Sequence, residues 1–457
     1  MSGNNRDEQP SKLSRRALAA TGVGALAAWG AHPATAAAAA ATAVDPSVYR
    51  VDVKDYGAKG DGRTDDSDAI RAAVTAAIAG RNAGVVQKEI FFPPGNYRVT
   101  KKDTLMWSPT TGNADQIFGL RYRGSGARVT TITFDTTFGA TDDPRENNLI
   151  TSAVRLRYTY FQDMAFKSDN LNNRFAYFWS VNASDDNSQY PDYGHGQNQY
   201  FVYENVEWKG KWDRVIGLDG DHKANNNSEH HFILCSTDTV SEFKDAFLHC
   251  GISSPADRNL QNQFLNYFML SCNFAVAGGD FFRFDRGGSI NVIGGSWSTV
   301  GNDKPVRYFY MPLANGEISA TRLYVTGVRF EPKGAQHKII DCNWNNGSVV
   351  FTSCSDMAAL QSSNPGGHAA VNWGLHRYAA TANRLPIVRY QDCTLAGFHD
   401  VDAAGSALTH GKMIYEGCRF YHNASAVGTA SPNFLRYRSA PKRFAFRDSW
   451  ATPDVEG

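Results

Sequence analysis

From residue 159 onward one spacing keeps returning: apolar residues at i, i+2, i+5 and i+7, with small or polar residues between them at i+3 and i+4. The clearest copies are Phe201-Val-Tyr203-Glu-Asn-Val206-Glu-Trp208, Tyr267-Phe-Met269-Leu-Ser-Cys272-Asn-Phe274 and Met413-Ile-Tyr415-Glu-Gly-Cys418-Arg-Phe420. Two more begin at Leu323 and Val388, and weaker ones at Thr159, Phe232, Ile290, Val349 and Phe444. Of forty template positions 34 are apolar, about twice what an overall hydrophobic content of 42% supplies. Each copy is two short alternating runs joined by a bend, so each reads as a pair of strands. A helical repeat would need apolar residues at i+3, i+4 and i+7. A propeller blade needs about 40 to 45 residues, and the shortest interval here is 23. Stacked coils remain, and the chain is expected to be all-β: a single-stranded right-handed parallel β-helix.

That fold gives the cysteines a place. Cys272, Cys354, Cys393 and Cys418 occupy the i+5 position, so they are expected to point inward as small apolar ladder residues and to stay reduced. Cys235, Cys250 and Cys342 fall elsewhere in this register, and a Cys235 to Cys250 disulfide is open.

The first forty-odd residues read differently. A polar stretch ends in Ser14-Arg15-Arg16, a weakly apolar Ala/Gly run follows to Ala31, and small residues lead to Ala41-Thr42-Ala43. This pattern predicts a twin-arginine export signal at residues 1–43. The mature protein is then secreted and extracellular, from a bacterial source and free of the membrane. With 46 Lys plus Arg against 45 Asp plus Glu, the charge is close to balance. Nucleic acid and anionic membrane are not expected partners.

Residues 44–150 precede the clear repeats, which fill 151–457. Within them Asp55-Tyr-Gly-Ala-Lys-Gly60-Asp61-Gly62-Arg-Thr64-Asp65-Asp66 leads into the amphipathic run Ala69 to Ile78, and Phe91-Phe-Pro-Pro-Gly95-Asn-Tyr97 follows. Thr64 or Asp65 suits a helix cap, and Asp61, Asp65 and Asp66 suit turn and cap duties. A helix here is expected to cap the open end of the coils. G-D-G-x-T-D-D followed by F-P-P-G-x-Y closely resembles the entrance of the pectate-lyase superfamily, which includes polygalacturonases, rhamnogalacturonases and phage tailspike depolymerases. The resemblance is strong over residues 51–100 and architectural beyond them. It implies a polysaccharide substrate and a monomer or homotrimer.

Equivalent positions on consecutive coils stack at about 4.7 to 4.9 Å, so acids distant in sequence can form rows. Counted from the template starts, Asp213, Asp245, Asp280 and Asp303 form one row and Asp219, Asp285 and Asp341 a second. Close carboxylates raise one another's pKa, as glycoside hydrolysis requires of its acid and base. The resemblance to polygalacturonases implies catalytic roles for Asp213, Asp245 and Asp280. Arg283 takes the place of that family's R-I-K arginine, while Lys244 and Asp285 depart from its pattern. Asp219, Trp212, His249, Arg283 and Arg286 are the candidate substrate contacts, with Trp179, Tyr190 and Tyr193 as further sugar-stacking aromatics.

The expected function is therefore an exported glycoside hydrolase working through paired aspartates without a cofactor. Two alternatives stand beside it. One is a polysaccharide lyase using calcium, for which Asp219-Gly-Asp221 is the candidate loop. The other is a non-catalytic glycan-binding or surface-structural β-helix.

Overall fold

The computed structural model describes residues 49–107, 116–152, 155–180, 197–220, 226–252, 266–285, 288–301, 304–312, 321–332, 337–344, 347–356, 372–378, 387–396, 398–403, 412–421, 435–439 and 443–451. The expected signal at 1–43, and Asp221, Arg286, Asp303, Tyr190 and Tyr193, lie outside them. Among the described residues thirty-two strands pair, strand on strand, always in parallel. The chain is a right-handed parallel β-helix.

The repeat template is the coil. Thr159, Phe201, Tyr267, Ile290, Leu323, Val349, Val388, Met413 and Phe444 lie in one register column, as their spacing implies. The tenth member is His230, which pairs with Phe201 on one side and Tyr267 on the other. The copy counted from Phe232 is thus displaced by two residues, because a buried histidine stands where an apolar residue was sought. The i+2 positions point inward and stack: Tyr122, Phe161, Tyr203 and Phe232 follow at centroid spacings of 4.9, 5.3 and 4.8 Å.

The small or polar i+4 residue is the bend. Asp163, Asn205, Leu234, Ser271, Gly294, Gly327, Ser353, Asp392, Gly417 and Asp448 all have φ between 47° and 66°. Left-handed backbone favours glycine, Asn and Asp, and most of these bends use them.

The i+5 thiols face the interior, and His230's register adds Cys235 to their ladder, stacked on Cys272. Cys235, Cys272, Cys354, Cys393 and Cys418 each donate S–H to the i+2 carbonyl of the preceding coil, at 3.2 to 3.4 Å. A thiol is small and apolar yet carries a weak donor, which suits an inward position beside these carbonyls. All seven cysteines are free and buried, so Cys235 and Cys250 are not joined. Thiol reagents are expected to label none of the seven in the native protein and all of them after denaturant is added. Mass spectrometry of labelled protein checks this, and rapid native labelling of the five ladder thiols would contradict the register.

At the other end, the helix Ser67–Ala79 buries Ile70, Ala73, Val74 and Ala77 against the first strands. The motif acids hold turns. Asp66 accepts from the amides of Lys59 and Gly60 at 2.6 and 3.0 Å, and Asp61 from Arg63 and Thr64 at 2.8 Å each. Asp65 accepts from the Ser67 amide in the helix's first turn, while Asp66 occupies the N-cap.

Candidate functional site

The strands Gln197–Gly220, Glu242–Cys250, Gly278–Phe284, Val306–Met311 and Lys338–Trp344 lie side by side. Their register aligns Gly217, His249, Arg283, Tyr310 and Asp341 in one column. Leu218, Cys250, Phe284, Met311 and Cys342 alternate with them and are buried among the apolar core, so this polar column lies on the outward face of the sheet.

His249 is the centre. Its Nδ1 lies 2.7 Å from Asp245 Oδ2 and its Nε2 3.0 Å from Asp285 Oδ2. Arg283 closes the ring, donating Nη1 to Asp245 Oδ1 at 3.2 Å and Nη2 to Asp285 Oδ2 at 3.1 Å. Arg214 donates to Asp245 Oδ2 at 2.9 Å. The room for Arg214 comes from Gly217, where a Cβ would stand 2.6 Å from the guanidinium Nε. Burial opposes charge on His249, but Asp245 and then Asp285 outweigh it and raise its pKa above the usual histidine value. Burial likewise works to raise Asp245, yet His249, Arg214 and Arg283 hold its carboxyl well below the carboxylate range. Asp285 is lowered too, by His249 and Arg283 against burial. The imidazole thus meets a carboxylate at each ring nitrogen, an arrangement that favours its protonated form.

A second group adjoins it. Arg307 grips Asp280 with two bonds, Nε to Oδ1 at 2.6 Å and Nη2 to Oδ2 at 2.8 Å. Burial still pushes Asp280 above the usual carboxylate value, with Arg307 pulling the other way. Lys338 Nζ lies 3.1 Å from Asp341 Oδ2. Tyr310 sits between the arginines, with Arg307 Cζ 3.4 Å and Arg283 Cζ 5.8 Å from its ring centroid. The site is two-tiered. Asp280, Asp285 and Asp341 are buried beneath, whereas the side chains of Arg283, Arg307 and Lys338 keep 32, 31 and 27% of their surface exposed.

The structure therefore gathers Asp245, His249, Arg283 and Asp280, with Asp285 and Asp341 from the second row. Asp213 has another partner: its carboxylate takes Arg174 Nε at 2.6 Å, both side chains are buried, and Arg174 also donates to the carbonyls of Thr141, Asp143 and Glu146. The acids do not form one even row, because the register shifts between Trp212 and Arg214 and again between Glu242 and Ala246, leaving Asp280 level with Ala246. Trp212 is a correction. It is fully buried and its indole N–H donates inward to the Lys209 carbonyl at 3.0 Å, so no sugar can stack on it. Asp219 is buried and accepts from the Tyr177 hydroxyl at 3.1 Å. Arg214, Arg307, Tyr310 and Lys338 were absent from the sequence-based set. Spacing could not have found Tyr310, because the loops before these strands differ in length: His249, Arg283 and Tyr310 lie 19, 16 and 20 residues after the starts of their own coils.

Residues 50–178 match the family described as rhamnogalacturonase A/epimerase, pectate lyase-like. A stretch of 51 residues is 53% identical to alginate lyase 7 of Azotobacter vinelandii, spanning 11% of this chain and 5% of that protein's length. Among solved structures, the chain is similar to the A-module of the Azotobacter vinelandii mannuronan C-5 epimerase AlgE4, with a TM-score of 0.47 and 14% identity over 88% of this chain and 95% of that one. It is also similar to PfbA, a surface adhesin of Streptococcus pneumoniae, with a TM-score of 0.35 and 13% identity over 88% and 93%. The first coils, residues 50–178, thus match that pectate lyase-like family, and the later strands continue the same right-handed parallel β-helix.

Proposed function

We propose that this protein is a carbohydrate-active enzyme acting on an acidic polysaccharide, with its site at Arg283, Arg307 and Tyr310. The observation that carries the reading is the two-tiered arrangement: guanidinium and phenol groups face solvent, and the carboxylates lie beneath them in ion pairs. A hydrolase needs one carboxyl free to protonate the leaving oxygen and another free to activate water. Asp245 accepts from three cations and Asp280 is held bidentately, so neither suits that work.

The arrangement favours proton transfer next to a uronate carboxylate. Arg283 and Arg307 would bind the carboxylate with the N–H groups that their own acids leave over, each guanidinium carrying five. Neutralising the carboxylate acidifies the adjacent carbon–hydrogen bond. Tyr310, lying between the two arginines, is the candidate proton carrier. Asp245, His249 and Asp285 fix Arg283 in place, as positioning residues. Loss of the proton followed by departure of the 4-linked sugar is elimination, and its return to the opposite face is epimerisation. Hydrolysis is the second reading, and it would require Asp280 to be released from Arg307.

The purified protein incubated with acidic and neutral polysaccharides separates these. Elimination yields an ultraviolet-absorbing unsaturated uronate, hydrolysis yields reducing ends without it, epimerisation changes the sugar's NMR spectrum without cleavage, and a binding protein yields none of the three. Tyr310→Phe is expected to lower kcat by about 10²-fold to 10⁴-fold with little change in melting temperature. Wild-type turnover in that variant would remove Tyr310 from the reaction.

A further inference from the structure

A different face of the molecule, at the first coils, carries a second feature. Tyr158 and Tyr200 stack face to face, with ring centroids 4.8 Å apart and planes within 6°, and they are 45% and 38% exposed. Both occupy left-handed backbone, with φ of 57° and 61°. A bulky residue is strained there. The same turn on other coils holds Gly119, Glu229 and Asn266, of which glycine and asparagine take this conformation readily. Two exposed aromatic rings are thus kept where the backbone prefers small or amide side chains.

The stack ends in open space. Gly119 precedes Tyr158 by one coil, since Phe118 pairs with Arg157 and the Gly119 amide donates to the Arg157 carbonyl at 2.9 Å. At Gly119 a Cβ would meet nothing nearer than the Val86 carbonyl at 3.8 Å. The face of Tyr158 turned away from Tyr200 therefore looks toward a coil that contributes no side chain. Gly119 also lines a pocket of about 370 Å³, together with Tyr49, Arg50, Lys88, Glu89 and Arg121. Arg121 lies beside Tyr160, its Cζ 5.2 Å from that ring's centroid. Arg50 is held by Glu89 at 2.9 Å.

We propose that the exposed face of Tyr158 and the pocket next to it, which shares Gly119 with its column, form a second glycan-binding site, in which a pyranose ring bearing a carboxylate stacks on Tyr158 as the next member of the tyrosine column and reaches into the pocket. Axial C–H groups of a pyranose suit the negative face of an aromatic ring, and the arginine rim suits the carboxylate. The volume lies within the range of small-ligand pockets. The site is separate from the Arg283 and Tyr310 cluster in both coil and sheet face, and its occupation is independent of turnover there.

The test is calorimetric titration of the full chain with a galacturonate tetrasaccharide and with a neutral galactose tetrasaccharide. Tyr158→Asn, which places at this turn the residue type found at position 266, is expected to keep or raise the melting temperature and weaken galacturonate binding about tenfold. Tyr158→Phe is expected to bind as wild type. Arg121→Gln is expected to weaken galacturonate and leave the neutral sugar unchanged. Turnover of any soluble substrate should be the same in Tyr158→Asn as in wild type. Unaltered galacturonate affinity in Tyr158→Asn overturns the proposal, as does failure of the wild-type chain to bind either sugar. Tyr158-dependent binding in a chain that turns nothing over would leave it standing and count against the catalytic reading alone.

Discussion

Asp245→Asn destabilises the protein by about 3–5 kcal/mol, the usual range when one partner of a buried ion pair is removed, and it lowers turnover at the same time. Arg214, His249 and Arg283 all lean on this one carboxylate. Taking its charge away leaves His249 and Arg283 paired with Asp285 and removes the carboxylate that Arg214 is paired with. On sequence grounds a catalytic aspartate should be lost without harm to stability; the contacts reverse that expectation. The pH dependence has two edges. The carboxyls of Asp245 and Asp285 are lowered, so their contribution is complete above about pH 4 and fades as pH falls toward their depressed values. His249 is raised, so its contribution is complete below about pH 6.5 and fades as pH climbs through its elevated value. Urea unfolding of wild type and Asp245→Asn from pH 4 to 9 measures this. Equal stability of the two at pH 6 would show that the ring is not a coupled unit.

His230→Phe has the opposite effect: it stabilises, and increasingly so in acid. His230 is fully buried between Phe201 and Tyr267, with ring centroids 4.6 and 5.7 Å away. Among the described residues neither ring nitrogen has a hydrogen-bond partner. Burial pushes its pKa down to about 3. The unfolded chain takes up a proton near pH 6.5 that the folded chain refuses, so stability is complete above that pH and lost progressively as pH falls to about 3. The full depression corresponds to a loss on the order of 4–5 kcal/mol. Phenylalanine continues the stack without a proton to bind. Melting temperatures of the two proteins should diverge steadily from pH 7 to pH 4, and parallel curves would mean that His230 does not titrate this way.

The same histidine explains how far the sequence could be read. Nine of ten coils were found in register because their inward positions are apolar and a period of two survives any loop length. The tenth slipped because polarity was taken as exposure, whereas a neutral imidazole can lie in an aromatic stack. From that slip of two residues Cys235 was lost from its ladder and Asp245 was set in a row of evenly spaced acids. The site was legible in composition, since Asp245, Asp280, His249 and Arg283 were all singled out, but not in arrangement. Register shifts beside Arg214 and Ala246 change which residues are level. The long reach of Arg214 across Gly217 and of Arg307 onto Tyr310 leaves no trace in spacing. Trp212 was misjudged for the converse reason, that a tryptophan near a loop can belong wholly to the core.

The left-handed bend at the fifth residue of the ten aligned coils has a consequence for how such a molecule changes length. Because each coil passes through the same conformation, a coil inserted or removed between Tyr158 and Tyr310 would leave every inward and outward position in phase. It would alter only the separation of the tyrosine pocket from the arginine cluster, in steps of about 4.8 Å. The scaffold behaves as a ruler with fixed graduations, and the length of polymer able to touch both marks is set by the number of coils between them.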